Sequence, residues 1–455
     1  MVIFLFIVVG LCVYGMLHSY LVYPWWTISR SRNNIRLQRD EVTYLKHYYP
    51  PSLLNNQVNK VANPWTAPSI KKLLSDRFIH PTELSLGSAN PFASNRWKEL
   101  PALPRVIVLM AVHNEEVVLE KKLNSLLAQD YPGSYQIYVG SDCSTDGTNG
   151  ILRAYKERYP YQITVQEFAS RQGKPSIINQ LAEKARPWTK EKIFLLTDAS
   201  VMLQPNAVSE LVKPMIRYPE LAVADARMIH TGMQVEGIGQ AEDLYIGQEV
   251  ALKQAEGHLW GYMIGPFGGC YALRANYFVP VPDTYLVDDF FLCLSAYERG
   301  GRGISVPTAH CTEAVGQEIA DEFRRKVRIS SGNWQNATRF KSSWWPIRNS
   351  LSYAFFSHKI LRWLTPMLLL ILLLCLGVLA FLLDNYWAQL AFFSLSCLLT
   401  IPPLLDIILS KWCGVNWFPL RSIRYFLAMN LALLVGFFRY LKGIQSNVWQ
   451  PSKRH

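Results

Sequence analysis

The sequence lacks the cysteine spacing of disulfide-rich or zinc-binding domains. None of its eight cysteines stands in a C-x-x-C pair, so neither a zinc site nor a disulfide framework is indicated. Gly173-Lys174 also lacks the spacing of a P-loop. The formal net charge is +12, but the basic residues are spread along the chain without an RNA-binding signature. We therefore expect no nucleic-acid partner, and attribute the charge to anionic lipid headgroups and a phosphorylated substrate.

Charged residues are missing from residues 1–29. The apolar run 2–23 is long enough to cross a bilayer, and Trp25 and Trp26 follow it as an interfacial belt. A cleaved signal would carry positive charge before the apolar run, whereas here Arg30 and Arg32 come after it. The pattern predicts a membrane anchor with its N-terminus outside and the following segment in the cytosol.

Apolar runs return near the C-terminus. Residues 364–383 and 386–409 predict a transmembrane hairpin, whose turn has no Lys or Arg and is therefore outside. The run 386–409 carries one charge, Asp406, which is interpreted as a snorkelled interfacial carboxylate rather than an intramembrane functional one. The run 425–438 is about one third shorter than a spanning helix and predicts a re-entrant or in-plane segment. Together these runs predict a multi-pass protein of the inner (plasma) membrane.

Between the membrane segments, strand-like and helix-like patterns alternate. Strands are predicted at 105–112, 135–140, 163–167, 192–197 and 221–226, separated by helices at 116–128, 148–158, 175–186 and 206–218. Such alternation predicts an α/β fold with a mostly parallel sheet. Ligands of these sheets bind at the carboxyl ends of the strands.

Polar residues follow three of the predicted strands, and they include Asn114, Glu115, Asp142, Asp146 and Asp198. A turn or helix cap explains Asp146 about as well as ligand binding does, and it explains Asp142 and Asp198 less well. Together with Lys174, these residues predict a binding site for a nucleotide diphosphate. Its carboxylates would contact the ribose or a metal, and the lysine would neutralise the charge of the diphosphate.

Seven motifs in fixed order carry a family resemblance: VIVLMAVHNEE, VGSDCSTDGT, GKPSIINQLAEKA, LLTDASV, GGCYALR, LVDDFFLCLSAYERGGR and RRKVRI. Over residues 105 to about 334 the chain resembles the membrane-bound family 2 glycosyltransferases, a group that includes cellulose, hyaluronan and poly-N-acetylglucosamine synthases. The resemblance implies a GT-A fold, a Rossmann-like mixed sheet, in a cytosolic catalytic domain flanked by transmembrane helices. It also implies sugar transfer with inversion.

The resemblance assigns roles to individual positions. Asp142 matches the carboxylate that contacts the nucleoside, and Lys174 matches the lysine on the nucleotide side. Asp198 matches the first residue of the D-x-D element, which meets the diphosphate and a divalent metal, Mg²⁺ or Mn²⁺. Asp289 matches the general base, which takes the proton of the acceptor hydroxyl. Ser200 departs from the pattern, because a second carboxylate is common there.

Further positions are expected to bind the nucleotide or the acceptor. Arg325 and Arg328 align with the family's Q-x-x-R-W motif, of which the Gln and Trp are absent here. A solvated or headgroup-facing basic run is the alternative for them. Arg274 and Asp288 are candidate acceptor contacts. The alternative for Asp288 and its neighbour Asp289 is a favourable charge at a helix N-terminus.

Glu249 and Glu256 lie seven residues apart on one face of a predicted helix. They are candidate acceptor or loop contacts, and an exposed helix surface explains them nearly as well. The resulting domain division is an anchor at 1–28, a juxtamembrane segment at 29–100, the GT-A domain at 101–315, a basic and interfacial segment at 316–360, a hairpin at 361–410, and a re-entrant or interfacial helix with the tail at 411–455.

The expected activity is transfer of a sugar, expected to come from a UDP-sugar donor, to a growing polysaccharide at the inner membrane. About three spans are too few to enclose a polymer channel, so export needs a homo-oligomer, a partner protein or the re-entrant segment. Single transfer to a lipid-linked acceptor is the first alternative. An inactive nucleotide-binding scaffold is the second.

Overall fold

The N-terminal apolar segment is helical throughout its described length. In the computed structural model, the described residues are 1–33, 103–231, 238–314, 319–384, 386–415 and 417–444. Helix α1 (Val2–Leu17) passes through a π-helical turn (His18–Val22) into α2 (Tyr23–Asn33). A helix satisfies its own backbone groups, which an uncharged segment in lipid requires. Most of the predicted juxtamembrane segment, 29–100, lies outside the described residues.

The described part of the middle region contains a mixed sheet of eight strands. These are β1 (Arg105–Val112), β2 (Tyr135–Asp142), β3 (Ile163–Phe168), β4 (Lys192–Thr197), β5 (Val201–Leu203), β6 (Leu221–Thr231), β7 (Cys270–Arg274) and β8 (Arg302–Ala314). The strand order is β3-β2-β1-β4-β7-β6-β8-β5. Strands β1 to β4 are mutually parallel where they pair, whereas β7 is antiparallel to both β4 and β6. The predicted α/β fold with a mixed sheet is confirmed, although β5, β7 and β8 were not predicted.

Helices connect the strands and cover the sheet. They are α3 (Glu116–Leu127), α4 (Thr148–Arg158), α5 (Lys174–Lys184), α6 (Ala207–Arg217), α7 (Ile238–Trp260) and α8 (Asp288–Glu298). Strand β1 is buried from Val106 to Val112, which explains why it is apolar without alternation. Gly140 lets α5 approach β2, because a Cβ there would lie 2.3 Å from Ile177. This close approach fixes the start of α5 at the carboxyl edge of the sheet.

After β8 the chain enters α9 (Ile319–Arg339) and then the C-terminal apolar helices. These are α10 (Ser350–Phe355), a π-helical turn (Phe356–Ile360), α11 (Leu361–Leu383), α12 (Tyr386–Trp412) and α13 (Phe418–Leu441). Four described helices are long and apolar enough to cross a membrane: Val2–Ser31, Ser350–Leu383, Tyr386–Trp412 and Phe418–Leu441. Helix α13 is longer than the predicted run 425–438. Its re-entrant placement and the domain division stay predictions.

Asp406 does not snorkel as predicted. Its side chain is 1% exposed and lies 2.8 Å from the Arg424 guanidinium and 3.7 Å from that of Arg421. Both arginines belong to α13, so the carboxylate pairs with the neighbouring helix. A charge in an apolar surrounding is costly unless it is paired. Helix α13 begins before the apolar run 425–438, so Arg421 and Arg424 lie in its first turns.

Helix α13 packs directly on α9. The Ser330 hydroxyl donates to the Leu433 carbonyl over 2.8 Å, and the Ser331 hydroxyl donates to the Gly436 carbonyl over 3.0 Å. A Cβ at Gly436 would lie 2.4 Å from Ser330 Cβ and 2.7 Å from the Val327 carbonyl oxygen. The interface therefore requires glycine at position 436.

Gly436→Ala should separate α13 from α9. We expect the free energy of unfolding to fall by about 1–3 kcal/mol, the typical cost of forcing an extra methyl group into a packed interface. The measurement is thermal unfolding of the full chain in detergent. Gly10→Ala is the matched control, because it is also a helical glycine and nothing lies within 4 Å of the added Cβ. Equal melting temperatures for the two variants would contradict this packing.

Candidate active site

The loops after β1 and β2 are tied together by the polar residues that the sequence singled out. The Asn114 side-chain oxygen accepts from the Thr145 amide over 2.8 Å, and the Glu115 amide donates to the Thr148 hydroxyl over 2.9 Å. Asn114 has φ +53°, a left-handed conformation that asparagine tolerates. Both residues shape the carboxyl edge of the sheet, and their contact with a nucleotide stays a prediction.

Asp146 acts as a cap in this structure. Its carboxylate accepts from the Thr148 amide over 3.0 Å and from the Glu116 amide over 3.1 Å. Burial raises the pKa of Asp146, but these hydrogen bonds outweigh burial and hold the pKa below its ordinary value. Of the two alternatives for Asp146, a helix cap is the one that the structure shows.

Asp142 is fully buried and organises the loop that precedes α5. Its carboxylate accepts from the Gln172 amide at 2.6 Å, from the Gly173 amide at 3.1 Å and from the Arg171 guanidinium at 3.1 Å. Arg171 also lies 2.5 Å from the His113 ring, whose other nitrogen is 2.8 Å from the Asp142 carbonyl oxygen. Sequence reasoning missed Arg171 because it stands outside every strand-end motif.

Lys174 draws two distant carboxylates together. Its ammonium group donates to Asp198 over 2.7 Å and lies 3.7 Å from Asp288. Burial lowers the pKa of Lys174, but Asp198, Asp288 and then Asp289 raise it well above the ordinary value. Asp198 follows β4 and Asp288 begins α8, so the structure adds Asp288, which was predicted as an acceptor contact, to the predicted grouping of Lys174 with Asp198.

Asp288 and Asp289 occupy the first turn of α8, where negative charge is favourable. Burial raises the pKa of Asp289 to about 6, with Asp288 adding to the rise and Lys174 opposing it. One oxygen of Asp288 is buried with no hydrogen bond. A Cβ at Gly268 would lie 2.1 Å from the Asp289 carboxylate, so glycine is needed beside it. A carboxylate whose pKa is close to neutral pH is suited to general base catalysis.

Helix α9 holds the segment that leads into these aspartates. The Arg328 guanidinium donates to the Leu286 carbonyl over 3.0 Å, and the Asn336 side chain donates to the Val287 carbonyl over 3.0 Å. Burial lowers the pKa of Arg328, with Arg325 adding to that effect and the site aspartates opposing it. The Arg325 side chain is 50% exposed and lies 3.4 Å from Glu322. The structure therefore places Arg328 near the carboxylates and Arg325 on the outer side of α9.

Arg274 is not at this edge, and its predicted acceptor contact is wrong on this placement. Its guanidinium is buried and donates to the backbone carbonyls of Leu221 (3.0 Å), Lys190 (2.9 Å) and Met215 (2.5 Å). Strand β7 is antiparallel to β4, so its last residue pairs with Ile193 at the start of β4, the opposite edge of the sheet. A buried arginine with three carbonyl acceptors has a structural role.

Ser200, which stands where a second carboxylate of the D-x-D element is common, contacts a carboxylate from another strand. The Ser200 hydroxyl donates to a carboxylate oxygen of Glu313 over 2.9 Å, and Glu313 comes from β8. Burial lowers the pKa of the nearby Lys122 to about 8, while Asp198 and Glu313 are among the groups that oppose the shift. Both carboxylates thus raise the pKa of the same buried lysine.

The donor set at this position consists of carboxylate oxygens, which Mg²⁺ and Mn²⁺ prefer. Within the described residues, no group of three His, Cys, Asp or Glu side chains has metal-binding geometry. Asp198 and Glu313 therefore fit a divalent ion only if oxygens of the substrate complete its coordination. Such shared coordination is usual for Mg²⁺ bound with substrate phosphates.

The comparisons with known proteins point to one family. Residues 107–271 match the model described as Glycosyl transferase family 2. This chain carries a family 2 glycosyltransferase domain. The matched range contains Asp142, Lys174 and Asp198, whereas Asp289 and Arg328 follow it.

This chain has relatives of several names. It is 27% identical over 166 residues to the beta-monoglucosyldiacylglycerol synthase of Synechocystis, 25% over 283 residues to the probable glycosyltransferase YdaM of Bacillus subtilis, and 24% over 278 residues to the hyaluronan synthase of Streptococcus pyogenes serotype M1. These matches cover 35%, 58% and 57% of this chain. They span 34%, 64% and 63% of the relatives, less than two thirds of each.

A solved structure shares the fold. The mannosyltransferase PcManGT of Pyrobaculum calidifontis, in complex with GDP-Man and Mn²⁺, superimposes with a TM-score of 0.56 at 20% identity. The match covers 76% of this chain and 92% of that one. The expected GT-A fold is thereby confirmed.

Asp142→Ala should destabilise the family 2 domain far more than Asp146→Ala. The first change leaves two amides and the Arg171 guanidinium without their buried acceptor, at a cost of about 3 kcal/mol. The second removes a cap at a partly exposed turn, worth about 1 kcal/mol. Thermal unfolding of both variants gives the comparison. Equal losses would show that Asp142 does not anchor the 171–173 loop.

Proposed function

We propose that this chain transfers a sugar from a nucleotide-diphosphate donor, of the UDP-sugar class, to an acceptor hydroxyl at the cytosolic face of the inner membrane, with inversion. The observation that carries the proposal is the Lys174 bridge, which gathers Asp198 and Asp288 at the carboxyl edge of the sheet beside Asp289. This edge is where ligands of open α/β sheets bind.

The groups at this edge match the needs of sugar transfer. The acceptor O–H gives its proton to Asp289, and its oxygen forms a bond to the anomeric carbon as the bond to the diphosphate oxygen breaks. The diphosphate leaves with an additional negative charge. Lys174 and Arg328 supply positive charge near the place where that negative charge develops. Attack from the face opposite the leaving group inverts the anomeric centre.

A divalent ion completes the charge balance in this proposal. Asp198 and Glu313 would hold Mg²⁺ or Mn²⁺, which neutralises the diphosphate when bound. The structural neighbour PcManGT was solved with Mn²⁺ and GDP-Man, which supports a metal and a nucleotide sugar in this fold.

The acceptor we favour is a growing polysaccharide, supported by the hyaluronan synthase relative. Four candidate spans are few helices to enclose a polymer channel, so a polysaccharide product requires a homo-oligomer or an export partner. A lipid-linked acceptor receiving one sugar is the second candidate. The small number of candidate spans and the monoglucosyldiacylglycerol synthase relative favour it.

The test uses the purified full chain in lipid vesicles with a panel of UDP- and GDP-sugars. Release of nucleoside diphosphate is measured with Mg²⁺, with Mn²⁺ and with chelator, beside Asp289→Asn. We expect turnover of one donor that requires metal and is lost in the variant, and product sizing then separates a polymer from a single transfer. Tight nucleotide binding with no turnover of any donor would favour the inactive scaffold instead.

Turnover should depend on pH through Asp289. The base must be ionised, and its pKa is raised to about 6 by burial and Asp288, against the opposing charge of Lys174. The rate should therefore be full above pH 7 and fall about tenfold per pH unit well below 6. Initial rates under saturating donor between pH 4.5 and 8 measure this. A rate that stays constant down to pH 4.5 would exclude Asp289 as the base.

Glu313→Gln should weaken metal binding more than nucleotide binding. Losing one anionic oxygen donor should raise the Mn²⁺ dissociation constant by about tenfold or more. Electron paramagnetic resonance titration of Mn²⁺ in the presence of nucleoside diphosphate measures it without turnover. Glu298→Gln is the matched control, because Glu298 lies at the far end of α8, where it pairs with Arg339. Unchanged Mn²⁺ affinity in Glu313→Gln would remove Glu313 from the metal site.

A further inference from the structure

A buried cluster of polar groups joins the catalytic domain to two candidate membrane spans. We call it the hub, and it consists of Tyr23, Glu249, Glu256 and His358. The Tyr23 hydroxyl donates to one oxygen of Glu256 over 2.7 Å, and the His358 Nδ1 lies 2.8 Å from the same oxygen. The other ring nitrogen of His358 lies 2.9 Å from Glu249. Tyr23, Glu256 and His358 are completely buried.

The hub corrects the exposed-surface alternative for the two glutamates, because both are buried. The contact of Glu256 with the Ile264 amide agrees with the predicted loop contact, and an acceptor contact stays a prediction. Burial raises the pKa of Glu249, but His358, Lys359 and Arg362 outweigh burial and hold it well below its ordinary value. Glu249 pairs with Lys359 and Arg362, and both ring nitrogens of His358 lie within hydrogen-bond distance of a glutamate carboxylate. The hub is therefore a paired ionic network rather than a surface patch.

Two further features mark the hub as a specific junction. Each of the two spans has a π-helical turn beside it, His18–Val22 in the first and Phe356–Ile360 in the second. The two turns meet where His18 lies 3.1 Å from the Ser357 hydroxyl. Trp260, at the end of α7, stacks on Tyr23 with 6.5 Å between ring centroids. Single π turns inside helices are frequent at functional sites.

Glu256 also reaches toward the candidate active site. Its second oxygen accepts from the Ile264 amide over 3.1 Å. Ile264 begins the segment 264–269, which we call the glycine loop, with positive φ angles at Gly265 and Gly268.

The glycine loop touches both sides of the candidate active site. Gly268 stands so close to Asp289 that an added Cβ would lie 2.1 Å from the carboxylate. The Gly269 carbonyl accepts from the Asp198 amide over 3.1 Å. One carboxylate therefore holds two membrane helices with one oxygen and the glycine loop with the other.

We propose that Glu256 is a positioning residue, which sets the glycine loop, and through it Asp289, according to the docking of the helices that carry Tyr23 and His358. The proposal rests on the proposed function above and adds a role for the N-terminal helix. That helix is then part of the assembly of the active site as well as an anchor. Turnover should therefore be slower when the Tyr23 hydroxyl is removed.

The test compares Tyr23→Phe, His358→Gln, Glu256→Gln and Glu256→Ala in the full chain in lipid. Tyr14→Phe is the matched control, because it removes a hydroxyl from an exposed position of the same helix. A misplaced catalytic group costs rate by up to about 100-fold. We expect kcat about tenfold lower for Tyr23→Phe, a larger loss for Glu256→Ala, and a KM for the donor within about twofold of the unmodified chain.

Glu256→Gln keeps an oxygen for the Ile264 amide, so it should retain more kcat than Glu256→Ala. A purely structural role would instead lower the folded fraction and leave kcat per folded molecule unchanged. If Tyr23→Phe does not fold, His358→Gln gives the same comparison, since it also removes one hub contact to Glu256. Unchanged kcat in the folded hub variants would overturn the proposal.

Hydrogen–deuterium exchange of the glycine loop provides a readout that does not need turnover. We expect faster exchange at residues 264–269 in Tyr23→Phe and Glu256→Ala, and no change in Tyr14→Phe. Unchanged exchange in both hub variants would overturn the proposal even if the chain proves active. Faster exchange in a chain that turns over no donor would leave the coupling standing while the proposed function fails.

Discussion

The candidate site depends on the charge of Lys174. Three aspartates, Asp198, Asp288 and Asp289, converge at the edge of the sheet, and like charges at such distances repel unless a cation lies among them. Lys174 is that cation, and it is held at the start of α5 by the loop that Asp142 anchors. A substrate diphosphate would compete with the aspartates for this ammonium group. The arrangement therefore has the electrostatics of a site prepared for an anionic ligand together with a metal.

The aspartates at the start of α8 are also positioned from the membrane side. Helix α9 holds the preceding segment through Arg328 and Asn336, and α9 packs on α13 through the close contact at Gly436. From the other direction, the hub holds the glycine loop through Glu256. Candidate membrane helices thus support the proposed base on two sides. This explains why a catalytic fold and its flanking helices form one compact unit over Met1–Ser31 and Pro104–His455.

Local pattern predicted the part of the fold that is locally encoded. Strand β4 was predicted with its observed bounds, because its apolar run ends at a polar turn. Strand β7 has five residues and ends on the charged Arg274, and β8 mixes buried with exposed positions without a period, so neither gave a strand signal. Their pairing is set by contacts distant in sequence. Arg274 was misplaced for the same reason, since the antiparallel direction of β7 decides which edge it faces.

The site followed the same division. Asp142, Lys174, Asp198 and Asp289 could be named from motifs. The shared contact of Asp198 and Asp288 with the Lys174 ammonium group could not, because it depends on the placement of α8 against β4. Glu313 gave no motif, and of the hub only the spacing of Glu249 and Glu256 was noticed. Glu256 and His358 are 102 positions apart, and each alone has the pattern of an ordinary surface or core residue. Only the folded chain shows that they share a buried contact.

The most direct measurement is a structure of the full chain in lipid with a nucleoside diphosphate and Mn²⁺ bound. We expect the diphosphate to contact Lys174 beside Asp198, with the Asp289 carboxylate facing the space where a sugar would bind. A diphosphate bound at the opposite edge of the sheet, with the Lys174 bridge to the aspartates intact, would contradict it.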